Sequence, residues 1–153
     1  ESMRELMEGI IYAKGVIWPE LIKMRNDAAI RQRDSYNARG AGAERVENDP
    51  NLRQKLTGKG RFDQLTIPGV YLYGLQDVLS PVENGFIQEE LGLKNIQFFY
   101  PDECGHQGQS DQPDMFNQVF LEFFRDGQVS RKTADWAGVS DRTPENPSIV
   151  AKS

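Results

Sequence analysis

Along the first third of the chain, apolar residues recur at intervals of three and four in MRELMEGIIY and in IWPELIKMRNDAAIRQRDSY, the spacing of one helix face. Pro19 suits the first turn of the second helix, where its missing N–H is no loss. The stretch that follows, NARGAGAERVENDP, is polar and rich in turn-forming residues, and reads as a connection or as a helix with a weak start. From residue 65 to 126 the pattern changes. Two short, almost continuously apolar runs, GVYLYG and NIQFFYP, are each followed by a helical segment, VENGFIQEEL and MFNQVFLEFF. Strand, helix, strand, helix in this rhythm predicts parallel strands with crossover helices, buried on both faces. Two strands do not complete such a sheet, so further strands are expected from preceding sequence or from another chain. The polar run after Asp126, GQVSRKTADWAGVSDRTPENPSIVAKS, holds Trp136 alone and reads as an irregular extension packed loosely on the body. The expected organisation is therefore α/β, with a helical region over residues 1–60, a strand–helix core over 61–126 and a polar extension over 127–153.

In open α/β sheets ligands bind beyond the carboxyl ends of the strands, so the residues just after each strand carry the candidate chemistry. Here those residues are GLQD, with Asp77, and DECGH, with His106, which stands 29 residues later. One helix, one strand and short loops fill that interval, placing both side chains at one sheet edge on neighbouring strands. A strand-end aspartate is ordinarily a turn cap, and a lone loop histidine is ordinarily structural or solvated. The pair says more, because His106 is the only histidine in the chain and falls where a base oriented by a carboxylate belongs. Cys104 is two residues away, points away from the imidazole in an extended loop, and lacks a base of its own, so it is expected to be inert.

Composition narrows the class. A formal net charge of -5 and a pI near 5.0 disfavour nucleic acid or an anionic membrane as partner, since binding phosphates takes a surplus of Lys and Arg on one face. No apolar run approaches the roughly 20 residues of a membrane helix, and ESMRELMEG lacks the regions of a secretory signal, so a cytoplasmic location is expected. One cysteine excludes an internal disulfide, and one histidine with one cysteine makes no metal ligand set; no cofactor is implied. The sequence starts at Glu1 inside helix-like sequence without an initiator Met, which gives the expectation of a fragment or of one half of a nicked protein.

The run YGLQDVLSP resembles the strand, acid and turn of the serine-type α/β-hydrolase superfamily, and CGHQGQSDQPDMFNQVFLEFF resembles its histidine loop and last helix. CGH with a following Gln, an acidic residue and FNQ is especially similar to the carbon–carbon bond hydrolases that act on meta-cleavage products of aromatic rings. The segment ELIKMRNDAAIRQRDSY is similar to the lid helix of those enzymes, with Arg25 at the position of an arginine that binds the substrate carboxylate. The likeness covers roughly residues 1 to 125 and leaves out the tail.

The resemblance implies the C-terminal portion of an α/β-hydrolase fold, with a helical lid over residues 1–60 and Asp77 and His106 as acid and base of a triad. The superfamily's chain order puts the nucleophile, on a G-x-S-x-G elbow, before the acid. Only Ser2 and Ser35 precede Asp77, neither in that context, while GQSDQ and GVSDR lack the second Gly and follow no strand. The serine is therefore expected on an upstream N-terminal fragment. The implied substrate is a small carboxylate-bearing molecule, a vinylogous diketo acid, anchored by Arg25 with Trp18, Ile22 and Met24 lining the pocket. From the residues alone, Lys23, Arg31 and Arg33 mark a basic helix face that would ordinarily be solvated, and the apolar residues at helical spacing would be ordinary core. Gln107 stands where the carbon–carbon hydrolases carry an aromatic residue; it either hydrogen-bonds a more polar substrate or is a loop residue. An esterase, lactonase or epoxide hydrolase would show the same Asp and His, and a non-catalytic binding protein on this scaffold is the reading from another class. Homo-oligomerisation is left open.

Overall fold

The computed structural model describes residues 2–56 and 65–152. They fall into two units, one made of the residues up to Ile17 with those from Leu65 onward, the other beginning at Trp18 and including the rest. The expected boundary at residues 60–61 lies outside the described residues. The first helix belongs to the strand-bearing unit, so the helical region is not one body over residues 1–60.

In the strand-bearing unit, α1 (Met3–Ile10) opens on a capping box, Ser2 and Glu5 each taking up the other's backbone N–H, and it buries Met7 and Ile10. A 3-10 turn follows at Lys14–Val16. Strands β1 (Gly69–Leu72) and β2 (Ile96–Phe99) pair in parallel, with Gly69 opposite Ile96 and Leu72 opposite Phe99, and α4 (Glu83–Glu90) crosses between them. The order strand, helix, strand, helix is the one the apolar pattern predicts. Short α5 (Gly108–Asp111) leads into α6 (Pro113–Asp126), which starts on a proline and stops at Gly127 in the left-handed conformation. Successive residues of β2 point to opposite faces. Phe98, with Tyr73 and Tyr100, packs with Val82 and Phe86 around α4; Phe99 packs with Met115, Phe116 and Val119 of α6. Helices therefore cover both faces, as the hydrophobic character of the strands requires.

The tail corrects the sequence expectation. Ser130 caps α7 (Arg131–Trp136), and Val129, Ala134, Ala137, Ile149 and Val150 are all buried. Val139 bridges Phe99 in antiparallel sense; Tyr100 N–H donates to the Gly138 carbonyl at 2.7 Å and Ser140 N–H to that of Phe98 at 3.0 Å. The tail is thus the lining of the outer edge of β2. Gly138, at φ 69°, is needed there because a Cβ would lie 2.9 Å from the Tyr100 carbonyl carbon. Two buried carboxylates fasten the tail. Glu122 accepts from the Ser130 N–H at 2.7 Å and the Thr133 hydroxyl at 2.9 Å, and Glu89 accepts from Tyr100 at 2.8 Å, Ser140 at 3.0 Å and Thr143 at 2.6 Å. Among the described residues the outer edge of β1 has no partner strand.

In the other unit, α2 (Pro19–Asn48) starts at Pro19 as expected and runs through the Gly/Ala-rich stretch that sequence alone left open between connection and helix. Asp49 then caps α3 (Pro50–Leu56) by accepting from the N–H groups of Asn51 and Leu52. Among the described residues, no helix is long and apolar enough to cross a membrane.

Candidate active site

The turn after β1 and the loop after β2 are built against each other. Leu75 N–H donates to the Pro101 carbonyl at 3.1 Å and Gln76 N–H to that of Cys104 at 2.9 Å. Gly74 makes this approach possible: a Cβ there would meet the Gly105 carbonyl oxygen at 2.6 Å and the Cys104 carbonyl carbon at 2.8 Å. With the backbones in contact, Asp77 Oδ2 lies 2.8 Å from His106 Nδ1. The other oxygen of Asp77 accepts from the N–H groups of Leu79 and Ser80, both at 2.9 Å. One carboxylate oxygen is thereby fixed to its own turn while the second faces the imidazole. The Asp77 side chain is 8% exposed and that of His106 43%, a shielded carboxylate beside an imidazole open to an incoming molecule.

The base loop is also held from the N-terminal side. His106 N–H donates to the Ile10 carbonyl at 2.9 Å and Gln107 N–H to the same oxygen at 3.3 Å. The Asp111 carboxylate accepts from Gly105 N–H at 2.7 Å and from Ala13 N–H at 2.8 Å, tying the loop to the chain just after α1. A cavity of about 260 Å³ opens beside His106, lined among others by Tyr71, Gly74, Asp77, Ser80, Gln109 and Phe116. A larger cavity of about 350 Å³ lies by Lys94 and the tail residues Thr143–Pro147; of its two carboxylates, Glu89 is committed to the hydroxyls that hold the tail and Glu145 to Arg131, so the smaller cavity is the better candidate.

Cys104 is fully buried against Met115 and Phe116. Burial, and then the nearby carboxylates of Asp111 and Asp77, push its thiol up to about 12, far from the range of a nucleophilic thiolate. Ser80 pairs with Tyr73 through their hydroxyls and supports the Asp77 turn. Gln107 precedes α5, half-buried, and Gln109 rather than Gln107 lines the cavity. Trp18, Ile22 and Arg25 belong to the other unit, where Trp18 is the N-cap of α2 and the i, i+4, i+7 spacing sets all three on one helix face. Arg25 and Trp18 are exposed, Ile22 half-buried. Among the described residues no group of three His, Cys, Asp or Glu is placed to hold a metal ion. Sequence reasoning missed Asp111 and Gln76. The acidic residue five positions after the histidine was a signal for the first, whereas nothing local marks the second.

No family model matches the chain, and no solved structure matches it significantly. Among curated proteins it is 24% identical over 128 residues to a 2-hydroxy-6-oxononadienedioate/2-hydroxy-6-oxononatrienedioate hydrolase of Paraburkholderia phymatum, covering 80% of this chain and 41% of the relative. Proteins of the same name from Pseudomonas putida (24% identical; 80% and 41% covered) and Dechloromonas aromatica (23%; 80% and 40%) match in the same way. The chain spans about two fifths of the length of the curated relatives it matches.

Proposed function

We propose that this chain, which resembles the meta-cleavage-product hydrolases of the α/β-hydrolase superfamily, supplies the acid and the base of a hydrolase that cleaves a carbon–carbon bond in a vinylogous diketo acid. The observation that carries the reading is the 2.8 Å contact between Asp77 and His106 beyond the carboxyl ends of two adjacent parallel strands. With Nδ1–H directed to the carboxylate, Nε2 is the lone-pair nitrogen and takes the proton of a serine hydroxyl as it attacks the carbonyl next to the scissile bond. Asp77 stabilises the imidazolium that results. The imidazolium then gives that proton to the departing carbon, and water, activated by the same nitrogen, hydrolyses the acyl-serine.

The serine comes from a segment preceding Glu1, following the superfamily's chain order. That segment supplies a strand to the open edge of β1, since the outer edge of β2 is already taken by the tail. By the resemblance alone, Arg25 is assigned to a substrate carboxylate, which its planar donors suit, and Trp18 and Ile22 to apolar contact.

The test is co-expression of this chain with the preceding half, assayed on a ring-fission product by loss of its dienolate absorbance. Hydrolysis is expected from the pair and none from the chain alone. Asp77→Asn should lower kcat about 10³- to 10⁴-fold, and Arg25→Ala should lower kcat/KM on the carboxylate-bearing substrate. Unchanged kcat/KM in Arg25→Ala would reject the ring-fission substrate while leaving the hydrolase reading intact; full activity in Asp77→Asn would reject both.

A further inference from the structure

We propose that Gln76 is a positioning residue for the Asp77–His106 pair, its amide locking the turn that carries the acid to the loop that carries the base. Both ends of the side chain are used. Its Oε1 accepts from the Cys104 N–H at 2.9 Å and its Nε2 donates to Asp102 Oδ1 at 2.7 Å, while its own backbone N–H donates to the Cys104 carbonyl at 2.9 Å. The partners fix which end of the amide is which: one is an N–H that needs an acceptor, the other a carboxylate that needs a donor. The glutamine amide carries the acceptor and the donor side by side, one for each partner.

The span it holds is the one that needs holding. Asp102 Oδ1, bonded to Gln76, also accepts from Glu103 N–H at 2.9 Å, and Glu103 has φ 51°, a conformation that a residue with a Cβ keeps only when its surroundings impose it. Gln76 thus braces residues 102–104 from across the gap, immediately before Gly105 and His106, and immediately beside Asp77 in its own turn. The Asp102 carboxyl is held below its ordinary range, first by the Gln76 bond and then by the Glu103 N–H, in keeping with a charge-assisted contact. Gln76 bonds the loop backbone and Asp102, so its effect on the imidazole is transmitted through the loop.

The inference rests on the Asp77–His106 pair of the proposed function but on no substrate, and its test needs no turnover. His106 is the only histidine of the 153 residues. The full chain labelled with [15N]histidine therefore gives a single pair of imidazole nitrogens, whose shifts report which nitrogen is protonated. Wild type should favour the Nδ1–H tautomer. Gln76→Ala removes both side-chain bonds, and the isosteric Gln76→Glu keeps the acceptor for Cys104 but sets a carboxylate against Asp102. Both should lose the Nδ1–H preference with circular dichroism retained, and the double variant Q76E/D102N, which restores opposite polarity across the contact, should regain it. If Gln76→Ala does not fold, the isosteric variant and its rescue carry the test. A lower melting temperature with the tautomer unchanged would overturn the positioning role and leave the acid–base pair standing. Absence of an Nδ1–H preference in wild type would overturn both.

Discussion

Gly74→Ala adds one methyl group at the place where the acid turn and the base loop touch. The new Cβ would sit 2.6 Å from the Gly105 carbonyl oxygen and 2.8 Å from the Cys104 carbonyl carbon, with the Cys104 oxygen closer still, whereas ordinary contact begins at 3.4 Å. All three atoms are backbone, so no side chain can swing aside. The loop must retreat by the better part of an ångström, and the Asp77–His106 bond, now 2.8 Å, would then be stretched past useful hydrogen-bond length. Overpacking of this kind costs about 1–3 kcal/mol, and at roughly 2–4 °C per kcal/mol for a chain of this size the melting temperature should fall by about 2–12 °C. A misplacement of about an ångström costs on the order of 10² in rate, so under the proposed function, with the proposed preceding segment supplied, kcat should fall about 100-fold while the fold persists. Thermal denaturation and steady-state hydrolysis of the same preparation measure both. An alanine variant with wild-type melting temperature and wild-type kcat would show that the two loops are not in fixed contact, and the account of how the pair is held would fail with it.

Three further outcomes follow from the same contacts. The Cys104 thiol, pushed up to about 12 by burial and two carboxylates, should stay unmodified by a disulfide reagent at pH 8 until denaturant is added; stoichiometric labelling of the native chain would count against its placement. Burial alone would raise the Glu122 carboxyl, but hydrogen bonds from Gln118, Ser130 and Thr133 outweigh it and hold it below the ordinary 4.5. Its folded value being depressed, its stabilisation is present at neutral pH and is lost as pH falls below about 4.5 toward the folded value. Glu122→Gln should therefore lose stability at pH 7 and show a flatter acid limb in urea titrations at pH 7 and pH 3.5; parallel curves would argue against this carboxylate. Truncation after Asp126 removes Val129, Ile149 and Val150, each at most 2% exposed. At about 1.5–3 kcal/mol per buried side chain their sum rivals the roughly 5–15 kcal/mol of a whole domain, so the shortened chain should lack a cooperative melt.

What the sequence determined by itself is what short-range pattern can encode. Continuous apolar runs made β1 and β2, three-and-four spacing marked α1 and the first part of α2, the alternation with the strands marked α4 and α6, and the position of Asp77 and His106 one turn beyond each strand set them at a common edge. Parallel pairing of neighbouring strands leaves little freedom there, so the 2.8 Å contact follows almost from the order of elements. The tail was illegible because its five buried apolar residues, Val129, Ala134, Ala137, Ile149 and Val150, are scattered at no regular period among polar ones. Only the long-range contacts with Phe99, Glu89 and Glu122 select them for burial. The same holds for Glu89, one of two consecutive glutamates in a polar helix, and for Gln76, an unremarkable turn residue. Their roles depend on hydrogen-bond partners 11 to 54 and 26 to 28 positions away. A hydrogen bond is satisfied by geometry between groups distant in the chain, whereas periodicity reports only on neighbours. The strands and the acid–base pair were therefore written locally, and the braces that hold them in register were decided by the fold.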